Sequence, residues 1–205
     1  MSTTKETVPT IFIYGPAKTG KTTLAQGFQK RIPGLQIAST SEILTQQLQE
    51  RDRNAGISEP PVTYPRDVLF NYGVSLQHDE PAILARLIAE KYQAQYDEGL
   101  IKGLLYVGSR RFAEAQYVHD HLSALFIAVH APIDVSICRE YDEVRQREEI
   151  KIQELRKQFL QQYQAELPEL NRMLVFKDIM LDGTAGVDVM IHTGMQFVTA
   201  KGIFR

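Results

Sequence analysis

Short apolar runs alternate along this chain with longer stretches whose apolar residues recur at helical spacing. The first run, Thr10–Tyr14, contains Ile11, Phe12, Ile13 and Tyr14 and stops at Gly15. Apolar side chains on both faces of so short a segment predict a central parallel strand covered on each side. Residues 22–31 carry a helical pattern closed by Pro33-Gly34. Leu35–Ala38 predicts a second strand, and residues 39–53 a helix with Ile43, Leu44 and Leu48 on one face and Ser39 or Ser41 as its cap. Residues 54–64, with Gly56, Pro60 and Pro61, form a loop in this reading. Residues 65–72 and 80–96 are expected as helices separated around Gly73, and 104–107 and 124–129 as strands flanking a helix over 112–121. Residues 132–166 read as a long charged helical stretch broken near 140–142, Pro168 as the start of a short helix, and 187–191 as the last strand. Strands alternating with helices predict an α/β fold whose parallel sheet is wrapped by right-handed crossovers. No linker divides the pattern, so one domain over 10–205 is expected behind a flexible terminus of residues 1–9.

Composition narrows the class. With 205 residues, 43% hydrophobic and 23% charged, the chain can bury a core and lacks the bias of a disordered one. Lys plus Arg number 23 against 25 Asp plus Glu, a formal charge of −2, so no electrostatic case for nucleic acid arises. No apolar run approaches the roughly 18 residues of a membrane span, and the polar start lacks the apolar centre of a secretory signal. Cys138 is the single cysteine, which excludes an intrachain disulfide and a cysteine-built zinc cluster; it is read as a small core residue. A cytoplasmic protein, monomer or homodimer, with no nucleic-acid or membrane partner is the expectation.

The chemistry concentrates at one place. Gly15-Pro16-Ala17-Lys18-Thr19-Gly20-Lys21-Thr22 fits G-x-x-x-x-G-K-[ST] without a mismatch, between a strand and a helix. Glycines let such a loop curl its N–H groups toward phosphate oxygens, and the helix start adds its positive end. In that chemistry Lys21 reaches the β- and γ-phosphates and the Thr22 hydroxyl sits on Mg²⁺. Gly15, Pro16, Ala17, Lys18, Thr19, Gly20, Lys21, Thr22 and Thr23 are therefore the expected ATP-binding residues.

Beyond the loop, three segments together resemble the small P-loop kinases of the nucleoside-monophosphate-kinase superfamily. They are similar above all to phage deoxynucleoside monophosphate kinases and to dephospho-coenzyme A kinases with their AAA-type relatives. The segments are Leu35-Gln36-Ile37-Ala38-Ser39-Thr40-Ser41-Glu42, Pro65-Arg66-Asp67-Val68-Leu69 up to Gly73, and Leu104-Leu105-Tyr106-Val107-Gly108-Ser109-Arg110 with the acidic helix after it. The resemblance implies a three-layer α/β/α P-loop NTPase fold with a mostly parallel five-stranded sheet and a helical lid. It further implies phosphoryl transfer from Mg-ATP to a small acceptor, a nucleotide or nucleoside-like molecule being favoured. A non-nucleotide acceptor and a nucleotide-binding protein without turnover are the alternatives. One departure matters: where the family commonly ends its third strand in an acid, this chain has Val107. Glu42 is the expected substitute, with Asp67 behind it.

The resemblance places an acceptor region at about 39–98, where Ser41, Glu42, Arg66 and Arg86 are expected to bind substrate, and a lid at about 132–166. Arginines stabilise the charge of a transferring phosphoryl group through planar bidentate donors. Arg110, past the third strand, and Arg139 and Arg145 of the lid are the catalytic candidates beside Lys21 and Glu42; Arg147 and Arg156 also lie in the lid. Arg66 opens a helix, where the dipole disfavours a cation, which hints at an anionic ligand. Tyr64 and Tyr72 flank it as candidate pocket walls. Against a GTPase, Val129-His130-Ala131-Pro132 stands where Asn-Lys-x-Asp would be read.

Overall fold

The computed structural model describes residues 6–144 and 152–204. Strands β1 (Thr10–Tyr14), β2 (Leu35–Ala38), β3 (Gly103–Val107), β4 (Ala124–His130) and β5 (Ile179–Asp182) form one sheet in the order β2-β3-β1-β4-β5. Every pairing is parallel, with Ile13 of β1 opposite Val107 of β3 and Ile127 of β4. Parallel neighbours require crossovers, supplied here by α1 (Lys21–Arg31), α2 (Thr40–Asn54), α3 (Arg66–Asp79), α4 (Ile83–Asp97), α5 (Phe112–His121), α6 (Ile133–Val144), α7 (Ile152–Met173) and α8 (Val187–Lys201). No helix among the described residues is long and apolar enough to cross a membrane.

The period of two along β1 divides the interior. Phe12 and Tyr14 join Leu104, Tyr106 and Phe126 in a core closed by Ile88 and Tyr92 of α4, Val118 of α5 and Met173 of α7. Ile11 and Ile13 join Leu105, Ile127 and Val129 in a second core under Leu24 and Phe28 of α1 and Ile191 and Val198 of α8. A smaller cluster, Leu44, Ile83 and Leu84, ties α2 to α4 and receives Leu69 and Tyr72 from α3.

Several expectations are corrected by packing. Residues 187–191 are the first turns of α8, not a strand. Val187 and Val189, the alternate apolar positions that imitate a strand, are 52% and 60% exposed, whereas Met190, Ile191, Gly194 and Val198 face α1. A Cβ on Gly194 would lie 2.6 Å from the Phe28 ring, so α8 approaches α1 through a position that admits no side chain. Pro168 lies inside α7 instead of starting a helix. An interior proline costs about 3 kcal/mol, an amount the burial of Leu170 and Met173 beyond it matches at about 1.5–3 kcal/mol each. Gly73 does not separate a pair of helices; α3 runs through it and presses it onto Leu44. α6 continues past 140–142 to Val144. Cys138 is exposed. Residues 6–9, expected within a loose terminus, are tied down: Val8 is fully buried and donates its N–H to Gln93 Oε1 at 2.8 Å.

Candidate functional site

The order of strands reverses at β1, with β3 on one side and β4 on the other, and open α/β sheets bind ligands beyond the strand ends at such a point. The chain turns there between Tyr14 and α1. Gly15, Lys18 and Gly20 have φ of 138°, 58° and 101°, and left-handed residues in such a turn build a concave arc of backbone N–H groups. At Gly15 a Cβ would meet the Val129 carbonyl at 2.1 Å, so glycine alone fits. The Thr19 hydroxyl donates to the Pro16 carbonyl at 3.0 Å and closes the base of the loop. Gly20 caps α1 with no side-chain hydrogen bond, and the first turn holds no acid, so the positive end of the helix stands uncompensated. Thr22 and Thr23 are exposed on that first turn.

Lys21 is 8% exposed and bends back to donate its Nζ to the Pro16 carbonyl. Burial and then the charge of Arg110 push its ammonium down to about 7, against the opposing pull of the Glu166 carboxylate. Arg110 follows β3 and is salt-bridged to Glu166 of α7, which also accepts from Gln162 Nε2 at 2.9 Å. Ala17, Phe159, Gln162, Tyr163 and Glu166 line the crevice between the phosphate loop and α7. From α6, Arg139 donates to the Lys18 carbonyl at 3.0 Å and to the Gly183 carbonyl at 2.7 Å, while Glu140 pairs with Lys18 Nζ at 3.1 Å. The turn after β5 lies directly on the loop: a Cβ on Gly183 would meet the Thr19 carbonyl at 2.2 Å. Asp182 organises that turn by accepting from Thr184 N at 2.8 Å and Thr184 Oγ1 at 2.6 Å, bonds that hold its carboxyl below the usual range.

The structure thus gathers Gly15–Thr22, Arg110 and Arg139 around one loop. The acceptor-region residues have partners of their own. Ser39 caps α2 by accepting from Glu42 N at 3.2 Å, and the Glu42 carboxylate pairs with Lys91 of α4. Glu42 is thereby engaged across to α4, and Ser41 is exposed beside it. Arg86 forks onto Glu80 at 2.8 and 3.0 Å and reaches Glu90 at 2.9 Å, which raises its pKa further. Arg66 opens α3, with its side chain and that of Asp67 outside the described residues; Arg145 and Arg147 lie outside them altogether. Arg156 pairs with Asp134 of α6 at 3.3 Å. Tyr64 donates to Asp52 at 2.7 Å, and Arg51 stacks over Tyr72 at 5.4 Å.

Sequence reasoning missed Glu166, Glu140 and Glu114. Glu114 is 4% exposed beneath the Arg110 turn, where Tyr106 donates to it at 2.9 Å and Gln77 of α3 also donates. Burial raises its pKa against three donors, Ser109, Tyr106 and Gln77. A signal for Glu166 was present: Phe159, Tyr163, Glu166 and Leu170 recur at helical spacing, an acid within an otherwise hydrophobic stripe.

No protein-family model and no curated protein sequence matches this chain. Solved structures do. A sugar kinase from Janibacter sp. HTCC2649 superposes with a TM-score of 0.58 at 15% identity, over 96% of this chain and 98% of that one. The chain has a P-loop kinase-like fold. Dephospho-CoA kinase from Campylobacter jejuni (TM-score 0.52, 12% identity, 94% of this chain and 96% of that one) has the same fold. So does shikimate kinase from Bacteroides thetaiotaomicron (0.51, 13%, 93% and 98%). The P-loop kinase-like fold matches the three-layer expectation, with the sheet parallel at every pairing.

Proposed function

We propose that the protein transfers the terminal phosphoryl group of ATP to a small acceptor. The observation that carries this reading is the Lys21–Arg110 pair. A buried ammonium and the Arg110 guanidinium, with the single Glu166 carboxylate against them at the bare positive end of α1, leave a net positive charge that suits phosphate oxygens. Lys21 and Arg110 would draw charge from the phosphate oxygens, and Arg139 would hold the loop to the turn at Gly183, so that catalysis is positioning and charge neutralisation. Magnesium bound with the nucleotide would screen the phosphate charges. The exposed Thr22 hydroxyl on the first turn of α1 is the protein group that fits it.

In the acceptor region, Arg51, Arg86 and Lys91 already face Asp52, Glu80 with Glu90, and Glu42. That balance among the described side chains favours a neutral hydroxyl-bearing acceptor over the nucleotide favoured by the sequence resemblance, and a sugar kinase of the same fold supports it. A second reading, nucleotide binding without turnover, is favoured by Val107, which leaves the strand end beside Ile13 without a carboxylate. ADP release with a panel of sugars, polyols, hydroxy acids and nucleoside monophosphates tests both. Transfer to a neutral hydroxyl supports the first reading. ATP binding with no transfer to any acceptor supports the second and overturns the first.

A further inference from the structure

Two carboxylates from the helices on either side of residues 145–151 lie on cations at the phosphate loop. Glu140 of α6 pairs with Lys18 at the rim, and Glu166 of α7 with Arg110 deeper in, its side chain 16% exposed. Glu166 is held where it is by its own helix: Phe159, two turns earlier, is 6% exposed, and Leu170 and Met173 after it enter the core. Gln162 supplies a second donor to the same carboxylate oxygen. The donors to Glu166 are therefore one guanidinium nitrogen of Arg110 and an amide, and its charge is felt at the Lys21 ammonium. This is the chemistry that receives an oxyanion. A metal ligand would instead need its oxygens turned to a cation other than Arg110.

We propose that Glu166 is the protein's own occupant of the terminal-phosphate subsite, its carboxylate lying on Arg110 until a triphosphate displaces it, so that this residue sets how strongly the site prefers a triphosphate to a diphosphate. The proposal rests on the phosphoryl-transfer reading above. A γ-phosphate and Glu166 are like charges that compete for one guanidinium. A nucleoside diphosphate lacks the competing group and leaves the Arg110–Glu166 pair in place. After transfer the carboxylate returns to Arg110, which lowers the cost of vacating the site and favours the diphosphate as the resting ligand.

The test is calorimetric titration of wild-type protein, Glu166→Gln and Glu166→Ala with β,γ-imido-ATP and with ADP, each with magnesium and with EDTA. Glu166→Gln keeps the side-chain shape and removes the charge; Glu166→Ala removes both. Both variants are expected to bind the triphosphate analogue about tenfold more tightly than wild type and ADP within about twofold, the size of one relieved charge contact. Unchanged or weaker triphosphate binding overturns the proposal, as does an equal change for both nucleotides. A loss seen only with magnesium overturns it in favour of a metal-orienting role. If Glu166→Ala fails to fold, Glu166→Gln decides alone. Wild-type protein that binds neither nucleotide overturns the phosphoryl-transfer reading itself, and this proposal with it. Tight wild-type binding that neither variant alters overturns only the role of Glu166.

Discussion

The guanidinium of Arg139 donates to the carbonyl oxygen of Gly183 at 2.7 Å, and its other terminal nitrogen donates to Lys18 at 3.0 Å. One side chain on α6 thereby joins the phosphate loop to the turn after β5. Hydrogen bonds from a charged donor contribute about 1.5–3 kcal/mol each when well made. Arg139→Ala is expected to loosen both loops and weaken ATP binding by about tenfold. Arg139→Lys should recover little of that, because an ammonium cannot span two carbonyls as a planar fork does. Titration calorimetry measures the affinity, and hydrogen exchange at residues 17–20 and 183–186 measures the loosening. Unaltered exchange in Arg139→Ala contradicts the bridging role.

Lys21 should have opposite effects on stability and on binding. Its native pKa is depressed to about 7 from 10.5, chiefly by burial. Between those values the unfolded chain holds more protons than the native one, so this group's contribution to stability rises with pH. Lys21→Met is therefore expected to raise the melting temperature most below pH 7 and by less as the pH approaches about 10. The same substitution should weaken ATP binding by at least about a hundredfold, since the phosphates lose their buried cation. Thermal scans from pH 6 to 10 check the first expectation, and a variant less stable than wild type at pH 6 contradicts it.

Glu42 is expected to act as a cross-brace. Its pair with Lys91 is half exposed on the carboxylate side, and such pairs contribute under about 1 kcal/mol. Glu42→Gln keeps the Ser39 cap, which uses the backbone N–H of residue 42. Magnesium-dependent turnover in Glu42→Gln should stay within about threefold of wild type, a difference of about 0.7 kcal/mol in barrier height. A loss of a hundredfold would return Glu42 to the metal.

Glu114 supports the Arg110 turn from below, through donors on Tyr106, Gln77 and Ser109. Glu114→Ala strands those donors in the core and is expected to cost about 2–4 kcal/mol of stability. Burial raises its native pKa above 4.5, so the native state holds the proton longer than the unfolded chain. Its contribution accordingly falls as pH rises from 4.5 through the raised native value. Glu114→Gln should flatten that slope in denaturant melts across the acid range; an unchanged slope contradicts the assignment.

The phosphate loop was legible from eight consecutive residues because its conformation is local. Left-handed φ values at Gly15 and Gly20 and a helix starting at Lys21 need only neighbouring chain. β1, β2 and α5 were legible for the same reason, since an apolar run with a turn residue at its end specifies its own period. Of the two caps that the pattern offered for α2, Ser39 and Ser41, it is Ser39 that accepts from Glu42 N.

What surrounds the loop was decided by packing across the chain. Glu166 reaches Arg110 over 56 positions, and Arg139 reaches Lys18 over 121; nothing in the local pattern of either arginine names its partner. Glu42 looked free to serve a metal until the fold set Lys91 against it. Val187 and Val189 alternate as a strand would, and became helical because only a helix seats Ile191 and Gly194 against Gly27 and Phe28 of α1. Pro168 remained within α7 because buried side chains beyond it offset its cost. A residue's local propensity amounts to tenths of a kcal/mol up to a few, and burying one large side chain is worth as much or more. Sequence alone therefore determined the phosphate loop and the alternating order of strands and helices up to α6, while tertiary packing decided where the chain's charges meet.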